Sequence, residues 1–570
     1  MEAVPLAQIL ASAAAAAPAL AKDRGGIRLL AEIIGTNTSG NILYAGRYLV
    51  STDLTVSGDL MLLPGAAIWV ERGATLTLAG DFIAPRSTVF HGAGRIDMNR
   101  GRAVAASPEW WGAAPGDSGV DSLPALQACL AAHPSMQLGS ADYYISGTWK
   151  IATPHRRICG AGNYRHGPNQ GTRIIVNSGA LDVIQVGPDS MPGGPNDFLQ
   201  RVEIRSVELG RTVAPVPPAP GKEIQGPAGM RVQYVLNCHF ENISAPEHSI
   251  GYAVSAAVRS FFRTCEAFRS MPGQKRTNDF FLGFLLNGYA ETGLAGGNAS
   301  IYLMDCLVST GGSPPLERSV GVCLDGAFAD SFLINLETSA VGVGIQAYGV
   351  AQHPSKSLRR TGNVDLHIVM PILDQCGQAG IELVNLSEYA LVDLVDPYVA
   401  VAAGGEAAIR LRDCGGQTTI TGGQLLGWTD AERGGNALGV AGANVDGLAV
   451  KGTKLLGFRQ PVALEKCTDF ELEVAINNLD QSASQAAVRL ADCERGFVRP
   501  RIKGRVGVFP LGIELAGRGN SALSVDCTGI SPACIQGAGA NSLHVGGGSI
   551  RRSGNYGSIL VSGLMDQTGS

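Results

Sequence analysis

Pairs of alternating aliphatic residues return along the second half of this chain at almost equal intervals, and very few architectures accept that pattern. Setting each repeat at such a pair gives Val322 with Leu324, Ile345, Ile381 with Leu383, Ile409 with Leu411, Leu438 with Val440, Val462 with Leu464, Val488 with Leu490, Ile513 with Leu515, Ile535 and Ile559. From Ile381 onward the intervals are 28, 29, 24, 26, 25, 22 and 24 residues. A unit of this size cannot bury its own apolar face, but a stack of them can, because each coil covers the one before it. The period therefore predicts an all-β chain: a right-handed, single-stranded parallel β-helix rather than the several globular domains that 570 residues would otherwise suggest.

Composition agrees with short strands and tight turns. Gly is abundant at 76 residues while aromatics make up only 6%. Lys plus Arg (44) falls below Asp plus Glu (49), so the net charge of -5 lacks the basic excess that a nucleic-acid backbone requires. No apolar run is long enough to cross a bilayer, and no membrane insertion is expected. The cysteines fall into columns instead of metal-ligand spacings: Cys238, Cys265 and Cys306 in one, Cys414, Cys467 and Cys493 in another. Free, buried thiols are expected, with neither cofactor nor metal, as suits folding in a reducing cytoplasm.

The N-terminal third is organised differently. Met1 to Ala21 is Ala-rich and reads as a short helix or, with Ala19-Leu20-Ala21 as a cleavage region, as a leader, although Glu2 stands where a leader is basic. Residues 27–100 alternate apolar and polar positions between Gly and Asx turns, which is strand periodicity. Pro108-Glu109-Trp110-Trp111-Gly112-Ala113 marks a boundary, followed by a helix starting near Leu123 that Asp121 or Ser122 caps and His133-Pro134 ends. Such a helix is expected to cover the open end of the stack. Pro-Glu-Trp-Trp-Gly-Ala, the Asp-containing helix start, Tyr143-Tyr144-Ile145-Ser146-Gly147 and Ile158-Cys159-Gly160-Ala161-Gly162 together resemble the opening of pectate-lyase-like β-helices, in particular bacteriophage tailspike depolymerases.

The resemblance implies a virion protein on the phage tail, folded in the host cytoplasm, homotrimeric, joined to the tail or baseplate through its N-terminus, and acting on a bacterial surface polysaccharide. The expected organisation is an attachment segment (1–25), a small β-rich domain (26–107), the capping helix and first rungs (108–180), the main β-helix with its glycan groove (181–530) and final rungs (531–570). Two other functions stay open at this point: a spike that binds glycan without cutting it, and a secreted bacterial polysaccharide lyase or hydrolase.

Chemistry on a solenoid lies on outward-facing positions. Aligning the second sheet places Asp305, Asn335, Met370 and Asp396 in one column, Glu266, Glu337 and Tyr398 two residues on, and Asp374 a further two on. Carboxylates on neighbouring rungs, about 4.8 Å apart, approach the separations used by glycosidases. Glu337 is the expected acid, its pKa raised by partial burial beside Leu336; Asp374 or Asp396 is the expected base, with Asp305 and Asp393 in reserve as substrate-binding acids. Tyr389, Tyr398 and Trp428 can stack on sugar rings. His239 and His367 offer bases for an elimination, although a strand histidine is more often simply hydrogen-bonded. No tight Asp cluster beside a basic residue, as in calcium-dependent pectate lyases, is found.

Overall fold

The computed structural model describes residues 26–35, 40–99, 101–163, 171–218, 226–269, 280–287, 298–311, 315–326, 328–349, 364–402, 404–427, 437–477, 486–503 and 512–516, and the strands lying within 523–562. The Ala-rich segment 1–25 lies outside them. The chain divides into two compact units, one of residues 1–150, 155–177 and 203–208, the other of 151–154, 178–202 and 209–570.

In the first unit the region expected to be a small β-rich domain is itself a coil of parallel strands. Its three short sheets are Ile27–Leu29, Gly46–Val50, Ala66–Val70, Phe90–Gly92; Leu54–Val56, Thr75–Leu78, Arg95–Asp97; and Asn41–Leu43, Leu60–Leu62, Phe82–Ile83. Leu49, Trp69 and His91 stand in register. The helix spans Leu123–Ala132 with Pro124 in its first turn. Asp121 is its cap: Oδ1 accepts the N–H groups of Leu123 and Ser146, each at 3.0 Å, and Oδ2 accepts the Ser146 hydroxyl, whereas Ser122 makes no side-chain cap bond. The helix packs on both strand Arg95–Asp97 and strand Ser135–Gln137, so it covers the stack that starts at Ser135 as expected and lies against the earlier coil too. The Pro-Glu-Trp-Trp-Gly motif has a structural cause. Glu109 is buried and accepts hydrogen bonds from the Tyr143 hydroxyl (2.7 Å) and from Ser107, with Trp110 packed at right angles to Phe82.

The second unit is a stack of parallel-paired rungs, with three described strands each from Phe281 to Gly427 and two each from Leu438 on. One rung is Leu316–Asp325, Phe328–Ile334 and Glu337–Ser339; the next is Val341–Tyr348, Val364–Val369 and Ile372–Cys376; then Ala379–Val384, Leu391–Val395 and Tyr398–Val401; then Ala407–Cys414, Gln417–Thr421 and Gln424–Gly427. Val322, Ile345, Ile381, Ile409, Val440, Val462, Val488 and Ile513 form one continuous inward column, each fully buried. Each contributes on the order of 1.5–3 kcal/mol. Two positions in the sequence alignment shift. Val440, not Leu438, fills the column, and Ile559 pairs with Leu543 on another sheet while Ile535 continues to Arg552.

The cysteine columns are partly as expected. Cys265 neighbours Cys306, since Leu307 pairs with Glu266, and Cys467 neighbours Cys493; Cys238, however, stands at a different corner, just before His239. The described cysteines are free, and burial pushes the Cys238 and Cys414 thiols up to about 11 and Cys376 to about 12.

One buried acid in the first unit shares its arginine with another carboxylate. Arg173 gives Asp142 two hydrogen bonds (3.0 and 2.7 Å) and lies 3.8 Å from Glu208. Burial raises the Glu208 carboxyl to about 7, with Asp142 adding to the effect and Arg173 opposing it. Folding thus favours the protonated form, and this group's contribution to stability is full below the usual Glu range and lost as pH rises through about 7. Glu208→Gln is expected to gain up to about 3 kcal/mol at pH 8 and little at pH 4, read from thermal unfolding of both proteins at the two pH values.

Candidate functional site

The corner between second and third strands repeats on every rung and fixes what can occupy it. Thr264, Asp305, Asn335, Met370, Asp396 and Gly422 all adopt left-handed backbone there, with φ of 48, 53, 50, 49, 48 and 69°. The N–H groups of Asp305, Asn335, Met370 and Asp396 each donate to a carbonyl of the following rung. Asn and Asp tolerate this conformation better than other chiral residues. The expected column is therefore real, but its Asp305 and Asp396 have a backbone reason to be there, and Asn335 donates to Asp305 Oδ1 at 3.1 Å.

Beside this corner runs the outward column of third strands: Glu266, Leu307, Glu337, Ile372, Tyr398 and Gln424. Asp374 pairs with Ser339, one rung on from Glu337 and two residues along. Glu337 is exposed rather than partly buried, because its neighbours Leu336 and Thr338 turn inward. Met370, Ile372 and Tyr398 are exposed on the same flank, and Tyr389 stands out at 70% exposure from the loop before strand Leu391–Val395. Trp428 lies outside the described residues.

The outward column of second strands holds what the sequence alignment passed over. His239, Phe261, Tyr302, Phe332 and His367 stack face to face, with centroids 4.8, 4.6, 5.2 and 4.7 Å apart and planes within 1–17° of parallel. Each stacked pair adds roughly 0.5–1.5 kcal/mol. Because neighbours occupy their faces, the inner rings offer only edges to solvent, and the ladder is a support rather than a platform for sugars. At its end His367 meets carboxylates at both nitrogens: Nε2 lies 3.1 Å from Asp365 Oδ1 on its own strand, and Nδ1 lies 3.2 Å from Asp393 Oδ2 on the next rung.

Asp365 is the carboxyl whose surroundings favour the neutral acid. Burial raises its pKa; His367 lowers it; a hydrogen bond and like charge from Asp330 and the charge of Asp393 raise it again. Its Oδ1 is sealed from solvent and makes no aligned hydrogen bond to a described residue. Of the residues expected from sequence, the structure gathers Asp393 and His367 here, keeps Glu337, Asp374 and Tyr398 together on the third-strand flank, and sets Asp305 and Asp396 at the corner between. Asp330 and Asp365 lie near the starts of their strands, Asp365 after a long insertion and Asp330 two residues ahead of Phe332; aligning rings instead of acids exposes them. Among the described residues, no group of His, Cys, Asp and Glu is arranged to hold a metal ion.

The charge around this site is one-sided. The stretches 298–309, 328–340, 364–378, 385–402 and 415–427, which supply second and third strands to five rungs, contain eight acidic residues and neither Lys nor Arg.

No protein-family model and no curated protein matches this sequence. Solved structures do. The tailspike of Escherichia coli bacteriophage HK620, solved in complex with a pentasaccharide, is similar over 77% of this chain and 80% of its own at 11% identity, with a TM-score of 0.55. Tailspike protein 3 of bacteriophage CBA120 matches 81% of the chain at 10% identity and a TM-score of 0.37, and this chain spans 62% of that tailspike. The A-module of the mannuronan C-5 epimerase AlgE6 from Azotobacter vinelandii matches at 11% identity and 0.34. The fold is a right-handed parallel β-helix of the kind found in phage tailspikes.

The corner column yields a direct test. Met370 is 46% exposed and held at φ 49°, a conformation costly for a side chain without a local hydrogen bond. Met370→Gly is expected to raise stability by about 0.5–1 kcal/mol in denaturant unfolding, whereas Asn335→Val lowers it.

Proposed function

We propose that this protein is a phage tailspike that binds and depolymerises a bacterial surface polysaccharide by glycoside hydrolysis. The observation that carries this reading is the Asp365–His367–Asp393 cluster set in an all-acidic flank. An imidazole between two carboxyls keeps them no more than about 9 Å apart, below the upper end of the roughly 6.5–9.5 Å at which inverting glycosidases admit a water beside the sugar. Asp365, as the neutral acid, protonates the leaving glycosidic oxygen; Asp393, ionised, takes a proton from the water that attacks the anomeric carbon, leaving one new reducing end and one free hydroxyl. The sequence-based choices Glu337, Asp374, Asp396 and Asp305 serve in this reading as hydroxyl acceptors along the bound chain, with Tyr389 and Tyr398 covering sugar faces.

The same flank disfavours elimination. A lyase must neutralise a uronate carboxylate before a proton leaves the adjacent carbon, and a carboxylate facing another at about 5 Å meets repulsion of roughly 3 kcal/mol at an effective dielectric of 20, less where water screens it. The favoured glycan is therefore neutral or amino-bearing at the cleaved linkage. Likeness to tailspikes supports a homotrimer in the virion, attached to the tail through residues 1–25.

Purified protein incubated with capsule, exopolysaccharide and lipopolysaccharide preparations is expected to release reducing ends without the ultraviolet absorbance of unsaturated sugars. Asp365→Asn and Asp393→Asn should each lower kcat by roughly 10²–10⁴-fold, while Glu337→Gln, Asp374→Asn and Asp396→Asn mainly raise KM. If kcat collapses in the Glu337 and Asp374 variants and survives in Asp365→Asn, the catalytic pair sits on the third strands. Absorbance means elimination, and glycan binding with no product means a receptor-binding spike.

A further inference from the structure

We infer that Lys454 and Arg501 form a subsite for an anionic substituent of the bound glycan, a carboxylate or phosphate on a sugar beyond the cleaved linkage, a role that rests on the glycan-binding reading of this flank. The outward column of third strands does not end at Gln424. Register carries it on through Lys454, Ala475 and Arg501, one residue on each of the next three rungs. Along its length the column changes character, from the acid Glu337 through exposed Ile372 and Tyr398 and the amide Gln424 to two cations.

The charge of the flank reverses with the column. Strands Leu448–Leu456, Glu471–Asn477 and Phe497–Lys503 hold Lys451, Lys454, Arg499, Arg501 and Lys503 against Glu471 and Glu473, where the second and third strands of the preceding rungs hold acids alone. Two of these cations are engaged on their own surface. Lys451 Nζ lies 2.7 Å from Glu471 Oε2, Arg499 lies over the Phe497 ring at 5.2 Å, and Glu473 stands in register between Lys451 and Arg499. Lys454 and Arg501, by contrast, are exposed and form no ion pair among the described residues.

Their spacing defines what fits. The two cations stand two rungs apart, about 10 Å, with only the methyl of Ala475 between them. A long side chain at that middle position would fill the slot, whereas a methyl leaves it open to a group that both cations reach. Arg presents a planar fork to carboxylate or phosphate oxygens, and Lys adds a point charge. Counted from Asp393 through Thr419 and Ala449, Lys454 lies about 10 Å and Arg501 about 20 Å further along the axis. Both exceed the Debye length of about 8 Å at physiological ionic strength, so the acids that disfavour an anion at the cleaved linkage do not keep one from this slot. The glycan so selected is neutral where it is cut and acidic elsewhere in its repeat.

Ala475→Glu is the decisive variant, because it sets a carboxylate between the two cations at a strand position that is already half-exposed. Its melting curve should match the parent. Retardation of the full chain in native gels containing polygalacturonate, polyglycerol phosphate or neutral dextran reads the subsite without requiring that anything be cut. The parent should be retarded by at least one of the two charged polymers, which tells carboxylate from phosphate, and not by dextran. Lys454→Gln and Arg501→Gln should each weaken that binding roughly two- to fivefold, and Ala475→Glu should abolish it, whereas Lys451→Gln, whose partner is Glu471, should leave it unchanged.

A parent retarded by neither charged polymer, or an equal loss in Lys451→Gln, overturns the inference. So does an altered sedimentation coefficient in Ala475→Glu, which assigns the two cations to a contact with another copy of the chain. The hydrolytic reading fails separately. Retardation as expected with no reducing ends from any preparation keeps the subsite and removes hydrolysis, while an unchanged KM of Ala475→Glu on a cleaved acidic glycan removes the subsite and keeps hydrolysis.

Discussion

Parallel backbone pairing from one rung to the next is the constraint on which everything else here depends. Once Val322 is fixed opposite Ile345, and Ile345 opposite Ile381, every other position on those rungs is fixed as well, and each residue acquires one neighbour above and one below at strand spacing. A column then accepts only what suits that environment. Inward columns take aliphatics, corners take residues that tolerate left-handed backbone, and outward columns are free for chemistry. The aromatic ladder is the same rule applied to rings: flat side chains at this spacing gain by stacking, so one ring favours another on the next rung.

That rule explains how much was legible in the sequence. The inward column could be read because burial permits few residue types, and the misplacement of Leu438 arose where two aliphatics of one strand competed for a single slot that the register gives to Val440. The corner column of Asp305, Asn335, Met370 and Asp396 was equally legible as a column, but its cause was not. An Asp selected for φ and an Asp selected for proton transfer are the same letter. Glu337 shows the reverse error: flanking apolar residues in sequence point inward on a strand, so they bury themselves and leave the carboxylate between them exposed. In the N-terminal region alternation revealed strands, yet three or four repeats were too few to reveal the coil.

Asp365 and Asp330 were hidden for a different reason. Asp365 opens a strand after a long insertion, where the period is lost and alignment has nothing to hold, and Asp330 matters only because its strand lies beside that one. Their importance comes from neighbours on adjacent rungs that sequence distance separates widely, since His367 contacts Asp393 only because strand Val364–Val369 lies beside strand Leu391–Val395. The histidine itself was noticed, but without the ring beneath it and the acids at its sides it was one strand histidine among several.

On this flank the charges of neighbouring acids add to what partial burial does to a carboxyl. Here the fold stacks acids over several rungs and supplies one imidazole among them. Like charges at short range resist simultaneous ionisation, and the group most shielded from solvent yields first. Asp365 is pushed toward the neutral acid by partial burial, by a hydrogen bond it donates to Asp330 and by the charges of Asp330 and Asp393, with His367 opposing. The absence of Lys and Arg from five consecutive rungs of described second and third strands is then consistent with this chemistry, because a cation at any of those positions would favour the carboxylate and remove the acid. On the proposed hydrolytic reading, the same field would repel anionic sugars, so an acid held neutral by its neighbours and a preference for an uncharged glycan would follow from one charge arrangement.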